Sequence, residues 1–316
     1  MIIDHRPALR TLNMPARKTL QKKGTIAVAV VEATPVVWKG ELLRFEWLRN
    51  TEWGSYKPAQ RSVGCYHFVN METNEPTAEF AFDHAFGCCY EENDIMYTHG
   101  VRGPGGGNVL DVFWSSDLES WQEKEILRLP EDVMVFNTSV CKGPDGYIMA
   151  IEIGGKHPWV GVGFTCIFAK SDDLIHWTLL DPKESSYSRD RYTACPVIRW
   201  HDGYYYMIYA SGHYKGHYGE AYAIAENVLG PYTKYKNNDI LTFTASMDGC
   251  GDAIFTTSPD GKELFLVYHI HSAVGTVEPR MTCIDRVKFV PDPNGGPDIL
   301  TVYGPTNTPQ PRPSTP

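Results

Sequence analysis

One pattern occurs five times along this chain: a short apolar run, a turn, and a second run that ends in polar residues. The repeats follow one another at intervals of about 55 residues, which is in the range of propeller repeats. The first runs begin at Thr34, His84, Asn137, Cys195 and Gly251, and the second runs end at Glu46, His99, Glu152, His213 and His271. Strand-and-turn repeats of this length are typical of a β-propeller, in which each repeat forms one blade. The sequence therefore predicts an all-β, five-bladed β-propeller.

Turn residues support this assignment. Asp-Gly pairs between two strand-like runs are typical of β-hairpins, and glycine-containing turns join the first run to the second at residues 39–40, 144–146, 201–203 and 259–261. A motif of serine, aspartate, leucine and tryptophan also recurs, at residues 115–121 and 171–177. Each copy follows an apolar run, so we expect it to close a third strand, with the tryptophan packed between blades.

The repeat also decides the domain organisation. A chain of 316 residues could form two domains by length alone, but five blades use most of it as one. We predict an N-terminal extension at residues 1–24, a propeller catalytic domain at 25–303 and a proline-rich, extended tail at 304–316. The strand-like run from Thr25 to Val31 is expected to complete the last blade and close the ring.

Composition narrows the possible partners. The net charge of −9 without clustered Lys and Arg argues against nucleic acid, whereas 18 Tyr and 8 Trp suit a sugar, whose C–H faces stack on rings. No apolar stretch approaches the roughly 20 residues of a membrane span, and residues 1–24 lack the apolar segment of a signal peptide. We therefore expect a cytoplasmic protein with no membrane partner. Eight dispersed cysteines predict buried free thiols, and the lack of Cys-x-x-Cys pairs argues against structural zinc.

The last repeats carry a family resemblance. The runs 248–252, 258–269, 279–286 and 304–306, the run 202–207 and the Ser/Asp/Leu/Trp turns resemble glycoside hydrolase family 43 and its five-bladed relatives, over roughly residues 30–310. The resemblance implies a glycosidase, inverting in most members, for arabinose-, xylose- or galactose-containing glycans. It also places three carboxylates at positions that Thr34, Asn137 and Ala194 hold here. A channel metal ion is implied as well, but Cys250 stands where a channel histidine is expected.

Carboxylates at other positions could supply the chemistry. Glycoside hydrolysis needs one protonated carboxyl group and a second carboxylate. Starts of first strands and ends of second strands meet at one face of a propeller, so acidic residues there face one funnel: Glu152, Glu32, Asp83, Asp248, Asp252 and Glu46. Glu152 is our candidate acid, because apolar neighbours raise a carboxyl pKa; a structural glutamate bonded to loop amides is the alternative. Glu32 is the preferred base, because it lies in the blade that carries the base in the resembled family, and Asp83, Asp248 and Asp252 compete with it.

Sugar hydroxyls need hydrogen-bonding side chains at the same rim. The candidates are His84, Arg49, His99, Asn137, Arg191, His213, His269, His271 and Arg280. The resemblance favours His269 and Arg280, since it places substrate or channel contacts around the last blade. No organic cofactor is expected.

These observations predict an exo-acting glycoside hydrolase that removes a terminal pentose or furanose unit, of arabinose, xylose or galactofuranose type, from an oligosaccharide. Two alternatives remain open. The displaced carboxylates would suit a non-catalytic glycan-binding propeller, and the Arg and His residues could hold phosphate or an acceptor sugar in a glycoside phosphorylase or transglycosidase.

Overall fold

The structure is a computed structural model that describes residues 19–20, 27–28, 30, 33–49, 64–154, 163–184, 194–212, 218–242, 244, 247–271, 277, 280–308 and 310–316. Regular secondary structure in these ranges is entirely β-strand. Nowhere in them is there a helix that could cross a membrane.

Five sheets surround a central channel, as the sequence predicts. Two short strands, β1 (Thr19–Leu20) and β2 (Ala27–Val28), precede the first blade, which consists of β3 (Thr34–Trp38), β4 (Glu41–Leu48) and β5 (Cys65–Asn70). Blade 2 contains β6 (His84–Glu92), β7 (Ile95–Arg102), β8 (Val109–Ser115) and β9 (Gln122–Arg128). Blade 3 contains β10 (Met134–Gly143), β11 (Gly146–Gly154), β12 (Thr165–Ser171) and β13 (Trp177–Leu179). Blade 4 contains β14 (Ala194–His201), β15 (Tyr204–Ser211), β16 (Gly219–Ala225) and β17 (Thr233–Leu241).

Both ends of the chain contribute to blade 5. Its strands are β18 (Gly251–Thr257), β19 (Leu264–Ile270), β20 (Met281–Val290) and β21 (Ile299–Val302), and β2 pairs with β20. This pairing gives the ring closure expected for residues 25–31. The tail also lies on this blade: β22 (Gln310–Pro311) pairs with β1, and Ser314 donates hydrogen bonds to Glu263 and Asp260.

The motif at residues 115–121 and 171–177 holds adjacent blades together. The side chain of Ser115 accepts the amide proton of Leu118 at 2.9 Å, and Leu118 adopts a left-handed φ of 62°. The turn places Trp121 flat against Phe80 of blade 1, with ring centroids 3.8 Å apart. In the second copy, Trp177 packs edge-on against His99 of blade 2 at 5.4 Å. Both tryptophans thus pack between blades, as the sequence predicts.

A repeated bulge shapes the innermost strands. The register of β6, β10, β14 and β18 shifts by one residue near the start of each strand. At these bulges Phe86, Cys195 and Asp252 have positive φ angles of 49°, 49° and 55°. Bulges re-aim side chains and are common beside active sites. Here they bring Asn137, Cys195 and Asp252, from three consecutive blades, to the same end of the channel.

All eight cysteines lie in the described part of the chain, where each is buried as a thiol and none forms a disulfide. This confirms the cysteine prediction. The thiols of Cys88 and Cys141 illustrate the consequence, since burial raises the pKa of each to about 12. Thiols held protonated in this way are poor nucleophiles and poor metal ligands.

Replacing Trp121 by alanine is expected to lower the free energy of unfolding by about 2–4 kcal/mol, because the ring stacks on Phe80 and Phe68 across the blade boundary. Denaturant unfolding followed by circular dichroism measures the change. Trp200, whose side chain is 38 % exposed, provides the control, and its alanine variant is expected to lose about 1 kcal/mol or less. A Trp121→Ala protein as stable as the wild type would show that this ring does not hold the blades.

Candidate active site

Glu152 lies at the end of β11, where blade 3 meets blade 4. Its side chain is buried, and Oε2 accepts hydrogen bonds from the backbone amide of Cys195 and from Nδ2 of Asn137, both at 2.9 Å. Burial raises the pKa of Glu152 to about 7, against the lowering effect of these two hydrogen bonds, and the negative charge of Asp252 raises it further. Near neutral pH this carboxyl group therefore exists in both protonation states.

Glu220, on β16, occupies the corresponding place between blades 4 and 5. It is fully buried, and Oε1 accepts the backbone amide of Ala253 at 3.2 Å. Oε2 is buried without a hydrogen-bond partner among the described residues. Burial, followed by the charge of Asp252, raises the pKa of Glu220 well above its usual range. Both glutamates thus reach across a blade boundary to the bulge of the next inner strand.

Asp252 connects the two glutamates electrostatically. It sits on the bulge of β18, is 5 % exposed, and its charge raises the pKa of both Glu152 and Glu220. Like charges held close together disfavour simultaneous ionisation. The charge of Asp252 therefore favours the protonated forms of both glutamates, and we call these three residues the coupled carboxyl set.

Tyr218 packs beside this set. Its hydroxyl lies 3.3 Å from Sγ of Cys195, and its ring stacks on that of His269 with centroids 5.9 Å apart. A Cβ at Gly251 would come within 2.0 Å of the Tyr218 ring, so only glycine at this position allows the ring to lie over the start of β18. The tyrosine therefore links the carboxyl set to the basic residues of the last blade.

Four of the predicted binding residues come together around His269. Nη1 of Arg280 lies 3.5 Å from Nε2 of His269. Burial lowers the pKa of His269 well below its usual value, and the charges of Arg280, His271 and Arg49 lower it further. His269 is therefore neutral at physiological pH, beside two guanidinium groups. A neutral imidazole between cations can donate to or accept from a hydroxyl group.

Other predicted residues are placed elsewhere. His84 is buried and bonds the carboxylate of Asp111 at 2.9 Å, and Asp111 also accepts from Arg102. His99 is fully buried under the turn of blade 3, bonded to the carbonyl of Leu174, and its pKa is lowered to about 4 by burial. These two histidines are enclosed by the packing of blades, so neither presents a free polar face to a sugar. Sequence reasoning placed them at the rim because each lies at a strand end.

The remaining carboxylates differ in environment. Asp83 is exposed, whereas Asp248 is buried and its Oδ1 accepts the amide of Gly249 at 2.9 Å. Glu46 is buried with Arg44 and His67, whose charges and hydrogen bonds lower its pKa against the effect of burial. Glu46 is thus a structural ion-pair member. Glu32, Arg191 and His213 lie outside the described residues.

Glu220 is the site residue that sequence reasoning missed. The prediction considered only the ends of first and second strands, and β16 is the third strand of its blade. One signal was available: Glu220 is the sole charged residue in the run Gly219–Ala225, which is otherwise apolar apart from the hydroxyl of Tyr222. A charge inside a buried strand marks a special environment.

The residues that the structure describes do not fit the channel metal implied by the family resemblance. In the described part of the chain, no group of three or more His, Cys, Asp or Glu side chains is arranged to hold a metal ion. Cys250 is fully buried, its thiol donates to the carbonyl of Thr242, and burial raises its pKa. A thiol kept protonated is a poor ligand.

Part of the chain matches a known protein family. Residues 178–294 match the family described as glycosyl hydrolases family 43. The chain is 33 % identical over 88 residues to the β-D-galactofuranosidase xynD of Aspergillus niger, covering 27 % of this chain and 25 % of that protein. It is 27 % identical over 147 residues to the non-reducing end α-L-arabinofuranosidase BoGH43B of Bacteroides ovatus, covering 44 % of this chain and 27 % of that protein. The chain thus spans about a quarter of the length of these curated relatives.

Solved structures extend the likeness to almost the whole chain. A thermostable family-43 glycoside hydrolase superposes with a TM-score of 0.71 at 19 % identity, covering 94 % of this chain and all of that one. An exo-1,5-α-L-arabinanase from a bovine ruminal metagenomic library superposes with a TM-score of 0.61 at 11 % identity, covering 92 % and 99 %. At these identities the shared property is the fold. The protein is a five-bladed β-propeller with a coupled carboxyl set at one end of its channel. More particularly, it is a propeller like that of glycoside hydrolase family 43.

Proposed function

We propose that the protein is a glycoside hydrolase that removes a terminal pentose or furanose unit from an oligosaccharide. The observation that supports the proposal most strongly is the protonation state of Glu152. Burial holds its pKa at about 7, and Asp252 adds a negative charge beside it. A carboxyl group that is partly protonated at neutral pH, next to a second carboxylate, is the combination that glycosidic bond cleavage requires.

The environments of the site residues suggest a catalytic or sugar-binding role for each of them. Glu152 is the acid that protonates the departing glycosidic oxygen, and its bonds to Asn137 and to the amide of Cys195 orient it. The charge of Asp252 adds to the effect of burial in raising the pKa of Glu152, and Asp252 is our candidate for activating water, together with Glu32. Arg49, Arg280 and His269 provide donors for sugar hydroxyls from the last blade and the end of the first.

The sugar class follows from the relatives. The two curated relatives are named as a galactofuranosidase and a non-reducing end arabinofuranosidase, and each acts on a five-membered sugar ring. A terminal furanose is therefore the preferred substrate of the proposal, with xylose as the pyranose alternative.

A panel of nitrophenyl α-L-arabinofuranosides, β-D-galactofuranosides and β-D-xylosides tests the proposal. We expect release of nitrophenol from at least one furanoside, and monosaccharide as the product from the matching oligosaccharide. Release of longer fragments would show that the enzyme is endo-acting and not exo-acting. Release that occurs only with added inorganic phosphate would instead identify a phosphorylase. No turnover on any substrate would remove the hydrolase assignment.

One observation favours a second function, a non-catalytic glycan-binding propeller. Thr34, Asn137 and Ala194 hold the positions at which the resembled family has carboxylates, and Oε2 of Glu152 is engaged by amides of the fold itself. Calorimetric titration with the same oligosaccharides separates the two functions. Binding without turnover would establish the second.

A further inference from the structure

A cavity opens at the end of the channel away from the carboxyl set. It has a volume of about 600 Å³ and is lined by the later residues of all five inner strands, including Val36, Glu91, Cys141, Arg199 and Thr256. Arg199 lies four residues beyond Cys195 on β14, which corresponds to roughly 13 Å of extended strand. The cavity is therefore separate from the carboxyl set around Glu152. Its volume lies in the range of small-molecule binding sites.

Arg199 is the notable group in this cavity. Its guanidinium lies over the ring of Phe255, 5.3 Å from the centroid, and its Nε is buried without a hydrogen-bond partner among the described residues. Burial lowers the pKa of Arg199, while Cys141 and Tyr90 act in the opposite direction. The neighbours that influence its charge are thus a thiol and a phenol. In the described part of the chain, no carboxylate forms an ion pair with it.

The other charged groups of the lining do not compensate Arg199. Lys142 forms an ion pair with Glu92 at 2.5 Å, so these two charges cancel. Glu91 lines the cavity, where its Oε1 accepts the amide of Asp94 in the β6–β7 turn at 2.8 Å, and among the described residues it forms no ion pair with Arg199. A partly buried guanidinium without a counter-charge is unfavourable, and an arginine fork matches the paired oxygens of a carboxylate or phosphate.

We propose that this cavity binds a small oxyanion through Arg199. The anion supplies the missing counter-charge by accepting parallel hydrogen bonds in the plane of the guanidinium, while Phe255 packs against one face of the group. The shared chemistry is a compact planar or tetrahedral set of oxygens, as in a sugar acid or in inorganic phosphate. This site does not depend on the proposed hydrolase function, because none of its residues belongs to the carboxyl set.

Calorimetric titration of the full chain with D-glucuronate and with inorganic phosphate tests the proposal, and D-glucose serves as the uncharged control. We expect at least one anion to bind, no binding of glucose, and a loss of affinity of at least tenfold in Arg199→Gln. The anion bound by the wild type identifies the source. Arg128→Gln removes an exposed arginine on β9 and is expected to bind as the wild type does.

Thermal unfolding keeps the test decisive if the Arg199→Gln protein folds poorly. The binding anion should raise the melting temperature of the wild type and of Arg199→Lys, which retains the charge, and leave that of Arg199→Gln unchanged. Failure of both anions to bind the folded wild type, or equal binding to wild type and Arg199→Gln, would overturn the proposal.

Discussion

Exchange of Glu152 for glutamine is expected to lower kcat by about 10²–10⁴-fold while the protein remains folded. Glutamine keeps the shape of the side chain, and its oxygen can still accept the amide of Cys195 and Nδ2 of Asn137. It cannot release a proton to the glycosidic oxygen. Steady-state kinetics on the best substrate of the panel measure the loss.

The pH dependence identifies the role of this residue. The pKa of Glu152 is raised to about 7, and an acid acts only while protonated, so kcat/KM should fall as pH rises above about 7. The Glu152→Gln variant should lack this alkaline limb of the pH profile, which is the fall in kcat/KM above about pH 7. Glu123→Gln, an exposed substitution on β9, serves as the control and should retain full activity. Wild-type activity in Glu152→Gln would rule out Glu152 as the acid.

The same group should affect stability. Between its ordinary pKa of 4.5 and about 7, Glu152 binds a proton in the folded state that it loses in the unfolded chain. The contribution of Glu152 to the free energy of unfolding is therefore fully present below about pH 4.5. It is lost as pH rises through 7, and the total change is about 3 kcal/mol. The unfolding free energy of Glu152→Gln should lack this slope. Parallel pH profiles for variant and wild type would contradict the raised pKa.

The blades could be predicted from the sequence because their determinants are local. Asp202-Gly203 and Asp145-Gly146 specify hairpins by backbone conformation, and Gly203 and Gly146 indeed have positive φ angles. The burial of Glu152 was also readable, since Met149, Ala150 and Ile151 surround it in sequence. Turn residues and apolar sequence neighbours can be recognised without knowledge of the tertiary structure.

The arrangement of the site depends on contacts between blades, which the sequence does not display. Glu220 meets Ala253 across 33 positions, and His99 meets Leu174 across 75. The bulge that carries Asp252 follows from strand register and leaves no distinct residue pattern. A position at a strand end therefore predicted at which end of the propeller a side chain lies. It did not predict whether that side chain faces the channel or a neighbouring blade.

Asp252 adds to the effect of burial on the pKa of both glutamates, and its exchange for asparagine is expected to have two effects. Removing the charge should lower the pKa of Glu152, so the alkaline limb of kcat/KM should move to lower pH. Turnover should fall by about 10²-fold or more if this carboxylate also activates water. Asparagine tolerates the left-handed φ of 55° at this position, so the backbone can be retained.

Asp94 provides a matched control for this experiment, because it also has a left-handed φ, of 61°, but is exposed in the β6–β7 turn. Asp94→Asn should leave both the alkaline limb and turnover unchanged. A shifted limb in Asp252→Asn with normal turnover would give Asp252 only an electrostatic role and leave the activation of water to Glu32. An unshifted limb would mean that the charge of Asp252 does not reach Glu152, and the coupled carboxyl set would lose its physical basis.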